Sequence, residues 1–256
     1  MIKNIRNNIK KCKIAKKCVK SVKLRKKMEN LLKYSNLYEL NLQKNQIEKF
    51  DTFYNFLIQE NQKYNLTAIT DKNEFITKHI VDCLLPHNLF KQNSKVVDIG
   101  SGAGFPAIPL KIMRDDLDIT MLDSVGKKTN FCNMAVEKLE LKNIRAEHTR
   151  IEDFAKKSFE KFDICTSRAV ANMQTLLEYA LPLVKVGGIC VFYKSQKCEE
   201  ELTLSKNALN LLGGKVEKIE KYMLDENERN VVVIKKIKPC PKSYPRGQNK
   251  PRIKPL

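Results

Sequence analysis

Five short runs rich in β-branched residues, at 95–99, 118–122, 143–147, 162–166 and 188–193, alternate with helix-periodic stretches near 107–114, 126–139, 172–184 and 197–212. Strands separated by helical crossovers pair in parallel, with helices on both faces of the sheet. Two closing runs, 214–223 and 230–237, follow one another through Asp225-Glu226-Asn227-Glu228, a spacing that suits an antiparallel hairpin rather than another crossover. Upstream, Ile47, Phe50, Phe53/Tyr54 and Leu57 space one helix face, and Phe75, His79/Ile80 and Cys83/Leu84 another, with the turn-like Tyr64-Asn65-Leu66-Thr67 between them. The expectation is an α/β fold: a doubly wound, mostly parallel sheet with a C-terminal hairpin, preceded by a helical cap.

Charge is concentrated at the two ends. Of the 48 Lys and Arg residues, twelve lie in 1–27 and eight in 235–256, and neither segment holds an acid, so 28–234 carries 28 basic against 29 acidic residues. A near-neutral globule between cationic arms points to a polyanion, with nucleic acid the first candidate and tails that serve only solubility the alternative. In the first segment Ile2, Ile5, Ile9, Cys12, Ala15, Val19 and Val22 recur at helical steps between lysines. That pattern fits an RNA-binding arm, a helix on an anionic membrane surface, a targeting leader, or sequence upstream of a start at Met28. The basic, proline-containing end 239–256 reads as an extended arm. The expected division is therefore 1–27 extension, 28–92 helical cap, 93–238 main domain and 239–256 tail.

The eight cysteines form no C-x-x-C pair and several fall in apolar runs, so neither a disulfide framework nor a metal site is expected, and a reducing cytoplasm is the expected location. No run approaches the length of a membrane span. A monomer is expected.

The chemistry starts at Val96-Val97-Asp98-Ile99-Gly100-Ser101-Gly102-Ala103-Gly104-Phe105-Pro106, where the first strand enters a glycine turn and then a helix. A dinucleotide fingerprint needs its third glycine five positions after the first, and here Phe105 stands at that place. G-x-G-x-G after a strand ending in Asp is instead the spacing of Rossmann-like methyltransferase sheets that bind S-adenosylmethionine, which has no pyrophosphate. Asp123, twenty-three residues after Gly100 at the end of the second strand, suits the two ribose hydroxyls. Arg150-Ile151-Glu152-Asp153 after the third strand supplies backbone and carboxylate for an adenine amino group. After the fourth strand, Arg168 suits a cofactor carboxylate or a substrate phosphate. Neither an Asn/Asp-Pro-Pro-aromatic loop nor a Pro-Cys nucleophile is present, and Cys165 reads as core.

The series Tyr64-Asn65-Leu66-Thr67, Lys78-His79-Ile80-Val81-Asp82, the stretch Asp98 to Leu110, Leu122-Asp123-Ser124-Val125-Gly126-Lys127-Lys128, Ser167-Arg168-Ala169 and Tyr244-Pro245-Arg246 resembles the bacterial GidB (RsmG) family. Members methylate N7 of one guanine in 16S ribosomal RNA. The resemblance covers 28–252. It implies a cofactor site of Asp98, Gly100, Gly102, Gly104, Phe105, Asp123, Ile151, Glu152 and Arg168, with Arg168 and Lys194 at the reacting end. Asn65, His79, Asp82 and Lys127 are then candidates for RNA contact or pocket support. The implied partner is 16S ribosomal RNA or the small-subunit particle. A different methyl acceptor on the same fold, or an RNA-binding assembly factor without catalysis, are the alternatives.

Overall fold

The computed structural model describes residues 28–256. The 1–27 extension and its proposed roles lie outside the described residues. Seven strands form one sheet in the order β3-β2-β1-β4-β5-β7-β6. They are β1 Lys95–Ile99, β2 Asp118–Asp123, β3 Ile144–His148, β4 Phe162–Arg168, β5 Val184–Lys194, β6 Gly214–Leu224 and β7 Asn227–Lys236. The first five pair in parallel, while β7 runs antiparallel to both β5 and β6. The chain winds outward from β1 through β2 to β3 and then returns to the other side of β1 at β4. Such a reversal opens a crevice beyond the carboxyl ends of β1 and β4.

The cap consists of α1 Glu29–Leu37, α2 Lys44–Tyr64 and α3 Lys72–Phe75, the last continued by a π-helical segment Ile76–Val81 and by α4 Asp82–Leu84. The cap is continuous with the main domain. Its Phe50, Phe53, Leu57, Phe75 and Ile80 share one apolar core with Val96, Ile119, Met121, Ile164 and Val191 of the sheet and Leu110 of α5 (Ala107–Met113). The opposite face packs on α7 (Ile151–Lys157) and α8 (Met173–Ala180), with Leu176, Leu177 and Ala180 against Val97, Cys165 and Val232. Between β2 and β3 lies α6 (Gly126–Lys138). A sheet covered on both faces explains why β1 is buried at every position from Val96 to Ile99.

Two segments differ from expectation. The stretch read as one helix over 197–212 is two, α9 (Cys198–Leu204) and α10 (Lys206–Leu212), divided at Ser205. There the Ser205 hydroxyl donates back to Glu201 O at 2.6 Å, a bond that competes with the helical ladder. The second is 239–256, which is folded back along α8 rather than extended. Glu178 on α8 is fully buried, and a buried carboxylate requires a partner. Arg246 supplies it with a two-pronged pair, Nε to Oε1 at 2.8 Å and Nη2 to Oε2 at 2.7 Å, reinforced by its own backbone N–H at 2.9 Å. Further along, Thr175 Oγ1 donates at 2.8 Å to the O of Pro251, which lies in the short helix α11 (Lys250–Ile253).

Candidate active site

The turn after β1 is built from the backbone upward. Gly100 and Ser101 donate to Leu122 O at 2.8 and 3.1 Å, tying the turn to the end of β2, and Ser101 O accepts from Gly104 and Phe105. Gly100 and Gly104 have φ of +71° and +88°. A Cβ on Gly100 would come within 2.4 Å of Val170, and one on Gly104 within 2.4 Å of Ile108. Glycine is thus required here by backbone conformation and by close approach together.

Asp123 ends β2 and holds the turn from the other side. Its Oδ2 accepts from Gly102 N–H at 3.0 Å and its Oδ1 from Val125 N–H at 2.9 Å. A carboxylate has about four lone-pair sites, so each oxygen retains capacity for an external hydroxyl. Around this point opens a cavity of about 390 Å³, lined by Gly100, Asp123, Lys128, Ile151, Glu152 and Val170, and also by Tyr179, Asn249 and Arg252.

Asp98 lies directly beneath, fully buried, and neither of its carboxylate oxygens has a hydrogen-bond partner. Burial pushes its carboxyl up to about 7. A buried carboxyl without hydrogen bonds beside a glycine turn is a polar group whose partner the folded chain does not supply. The residues present therefore fit an adenosyl ligand: Asp123 offers hydroxyl acceptors to the cavity, and the buried Asp98 stands behind the glycine turn without lining that cavity.

Phe105 does not enter that cavity. Its ring stacks on His79 at 4.3 Å, lies 5.6 Å from Phe53 and 6.1 Å from Phe75, and carries the Arg168 guanidinium 5.0 Å from its centroid. Arg168 donates to Lys78 O at 2.8 Å, to Asp82 Oδ2 at 3.1 Å and to His79 Nδ1 at 3.0 Å, while His79 Nε2 lies 3.0 Å from Thr67 Oγ1. Burial first, and Arg168 second, pull the His79 imidazole down to about 4. Burial raises the Asp82 carboxyl despite its pairing with Arg168 and, at 3.4 Å, with Arg229.

Arg168, Asp82 and Lys194 line a second cavity of about 470 Å³, with Tyr193, Glu201, Tyr222, Arg229 and Asn230. Lys194 Nζ donates to Glu201 at 2.6 Å and to Ala171 O at 2.9 Å. Ala169 and Val170 line both cavities and form the ridge between them. Ala169 has φ of +59°, a left-handed conformation that costs a non-glycine residue roughly 1 kcal/mol or more.

The remaining candidates lie apart. Asn65 is the exposed left-handed residue ending α2, and Lys127 is exposed on α6, where its neighbour Lys128 lines the first cavity instead. Cys165 is buried in β4 with its thiol raised well above the usual range by burial. Sequence reasoning missed Lys128, Tyr179, Asn249 and Arg252 in the first cavity and Glu201, Tyr222, Arg229 and Asn230 in the second. Of these, only Lys128 stood within a motif, with no role given to it. Among the described residues no cluster of His, Cys, Asp and Glu is arranged to hold a metal ion, and no helix is long and apolar enough to cross a membrane.

Comparison with known proteins places the arrangement. A solved structure of M. jannaschii TYW2 in complex with AdoMet superposes with a TM-score of 0.52 at 16% identity, over 65% of this chain and 77% of that one. Ribosomal protein L11 methylase from Lactobacillus delbrueckii subsp. bulgaricus gives 0.50 at 14%, over 63% and 79%. These likenesses establish the fold. In sequence, the chain is 47% identical over 223 residues to ribosomal RNA small subunit methyltransferase G of Lachnoclostridium phytofermentans, spanning 85% of this chain and 92% of that protein. It is 45% identical over 223 residues to the protein of the same name from Clostridium botulinum, spanning 85% and 93%. The family model GidB, described as rRNA small subunit methyltransferase G, matches residues 46–232. With most of its length matched at that identity, the chain belongs to the GidB family of S-adenosylmethionine-dependent rRNA methyltransferases.

Proposed function

We propose that the chain transfers a methyl group from S-adenosylmethionine to N7 of a guanine in 16S ribosomal RNA. The observation that carries this reading is the shared ridge: the cavity beside Asp123 and the cavity beside Arg168 and Lys194 meet at Ala169 and Val170. One ligand in each would face the other across that ridge.

When bound, the cofactor supplies an electrophilic methyl on a sulfonium. Asp123 would hold its ribose and Glu152 its adenine end. Guanine N7 carries an in-plane lone pair and no proton, so the acceptor side needs positioning rather than a base. The second cavity is consistent with that requirement. Its carboxylates are engaged by cations, Asp82 by Arg168 and Arg229 and Glu201 by Lys194. Arg168 and Lys194 are proposed to fix the base and its phosphate at the mouth.

The chemistry points to action where ribosomal RNA is made and assembled, in the cytoplasm, on RNA or on the small-subunit particle. The test is nucleoside mass spectrometry of 16S ribosomal RNA incubated with the protein and isotopically labelled cofactor. Label on 7-methylguanosine is the expected product. Label on another nucleoside would move the acceptor atom, and cofactor binding without RNA labelling would favour another substrate.

A further inference from the structure

The folded-back C-terminal segment has a role that its basic composition does not suggest. Three contacts fix its path: the buried Arg246–Glu178 pair, the Thr175 bond to Pro251 O, and a bond from Gln174 Nε2 to Leu256 O. Between these anchors, Asn249 and Arg252 are carried to the wall of the cavity that Ile151, Glu152 and Tyr179 line. Arg252 Nη2 donates to Val170 O at 3.3 Å, on the ridge itself. Arg252 also reaches the Tyr179 hydroxyl, and because a guanidinium has five N–H groups in a plane, these two contacts still leave donors and a flat face for a ligand.

We infer that residues 246–252 form a strap completing the adenosyl site, with Arg252 holding the purine of the ligand and Arg246 positioning it. The inference rests on the cofactor reading given above. A guanidinium is suited to this task because it stacks on an aromatic face and sheds water more readily than an ammonium. Arg246 acts only through the strap: its fork is spent on Glu178, which has no exposed surface. The strap and the ligand should consequently order one another, since whichever arrives first fixes part of the wall the other needs.

The experiment is isothermal titration of the full chain with S-adenosylhomocysteine, which has the adenosyl group but no methyl to transfer, together with hydrogen exchange of the strap amides. Arg252→Ala should raise Kd about tenfold, the scale of one desolvated cation contact. Lys215→Ala, removing an equal charge from the exposed start of β6, should leave Kd unchanged. Arg246→Ala should weaken binding and speed exchange at 250–254 even without ligand, whereas Arg246→Lys, which keeps charge but not the fork, should fall between. Ligand should slow exchange at the same amides in the unmodified chain. An unchanged Kd for Arg252→Ala, with the unmodified chain still binding, overturns the strap while leaving the cofactor reading in place. No binding by the unmodified chain overturns both. If Arg246→Ala does not fold, Arg252→Ala decides alone, because Arg252 is exposed.

Discussion

Arg168 donates through Nη2 to Nδ1 of His79, and this bond decides where the imidazole keeps its proton. A guanidinium cannot accept, so Nδ1 must be bare, and the proton sits on Nε2 facing Thr67 Oγ1. The histidine is neutral because burial disfavours its charged form and, second, because protonation would set it against the Arg168 cation.

Acid should therefore loosen this corner. His79 has a folded value of about 4, below its ordinary 6.5, so its contribution to stability is full above about 6.5 and is lost as pH falls toward 4. The midpoint of urea unfolding should drop between about pH 7 and pH 5, and His79→Gln should flatten that part of the profile. An unchanged slope in the variant would remove His79 as its source.

Asp98 has the opposite sign. Its folded value is raised to about 7 from 3.8, so the stability linked to it is full below 3.8 and is lost as pH rises through 7. Asp98→Asn should stabilise the ligand-free chain at about pH 8, on the order of a few kcal/mol at most, and so raise its thermal midpoint. If Asp98 also serves the proposed cofactor site, the same change should weaken S-adenosylhomocysteine. A variant more stable and equally tight would show that Asp98 serves the turn and not the ligand.

Gly100→Ala should disable ligand binding through Val170. The new methyl meets Val170 Cγ2 at 2.4 Å and sits on a backbone with φ of +71°, a conformational penalty of roughly 1–2 kcal/mol. Adding Val170→Ala should restore space but not conformation, so the double variant should recover part of the lost affinity in a calorimetric mutant cycle. Full additivity would show that the two residues do not meet.

Cys165→Ala should retain methyl transfer. The thiol is buried among apolar neighbours and raised well above its usual range, so it is not a thiolate nucleophile at neutral pH. The expected cost is stability alone, about 1–2 kcal/mol for a small cavity, read from the urea midpoint. Complete loss of transfer by a folded variant would implicate covalent catalysis.

Much of the fold was legible because its determinants are local. The β-branched runs mark all seven strands to within a few residues, and the glycine spacing with Asp98 and Asp123 marks the crevice. What was not legible depends on partners far apart in the chain. Glu178 and Arg246 are 68 residues apart, and nothing in a run of lysines and prolines says that one of its arginines answers a buried acid. Composition therefore gave an arm where the chain has a strap. Likewise Phe105, assigned from its place in the motif, turns its ring to Phe53 and His79 from the helical layer, an orientation set by packing and not by spacing.

That aromatic stack has a mechanical consequence. The ring that follows the last glycine is gripped from behind by Phe53, Phe75 and His79, so the loop inherits the rigidity of α2 and α3 rather than that of its own backbone. A wedge driven between α2 and α5 would unseat Phe105 and with it the turn. An inhibitor of this protein has no need to resemble a nucleoside.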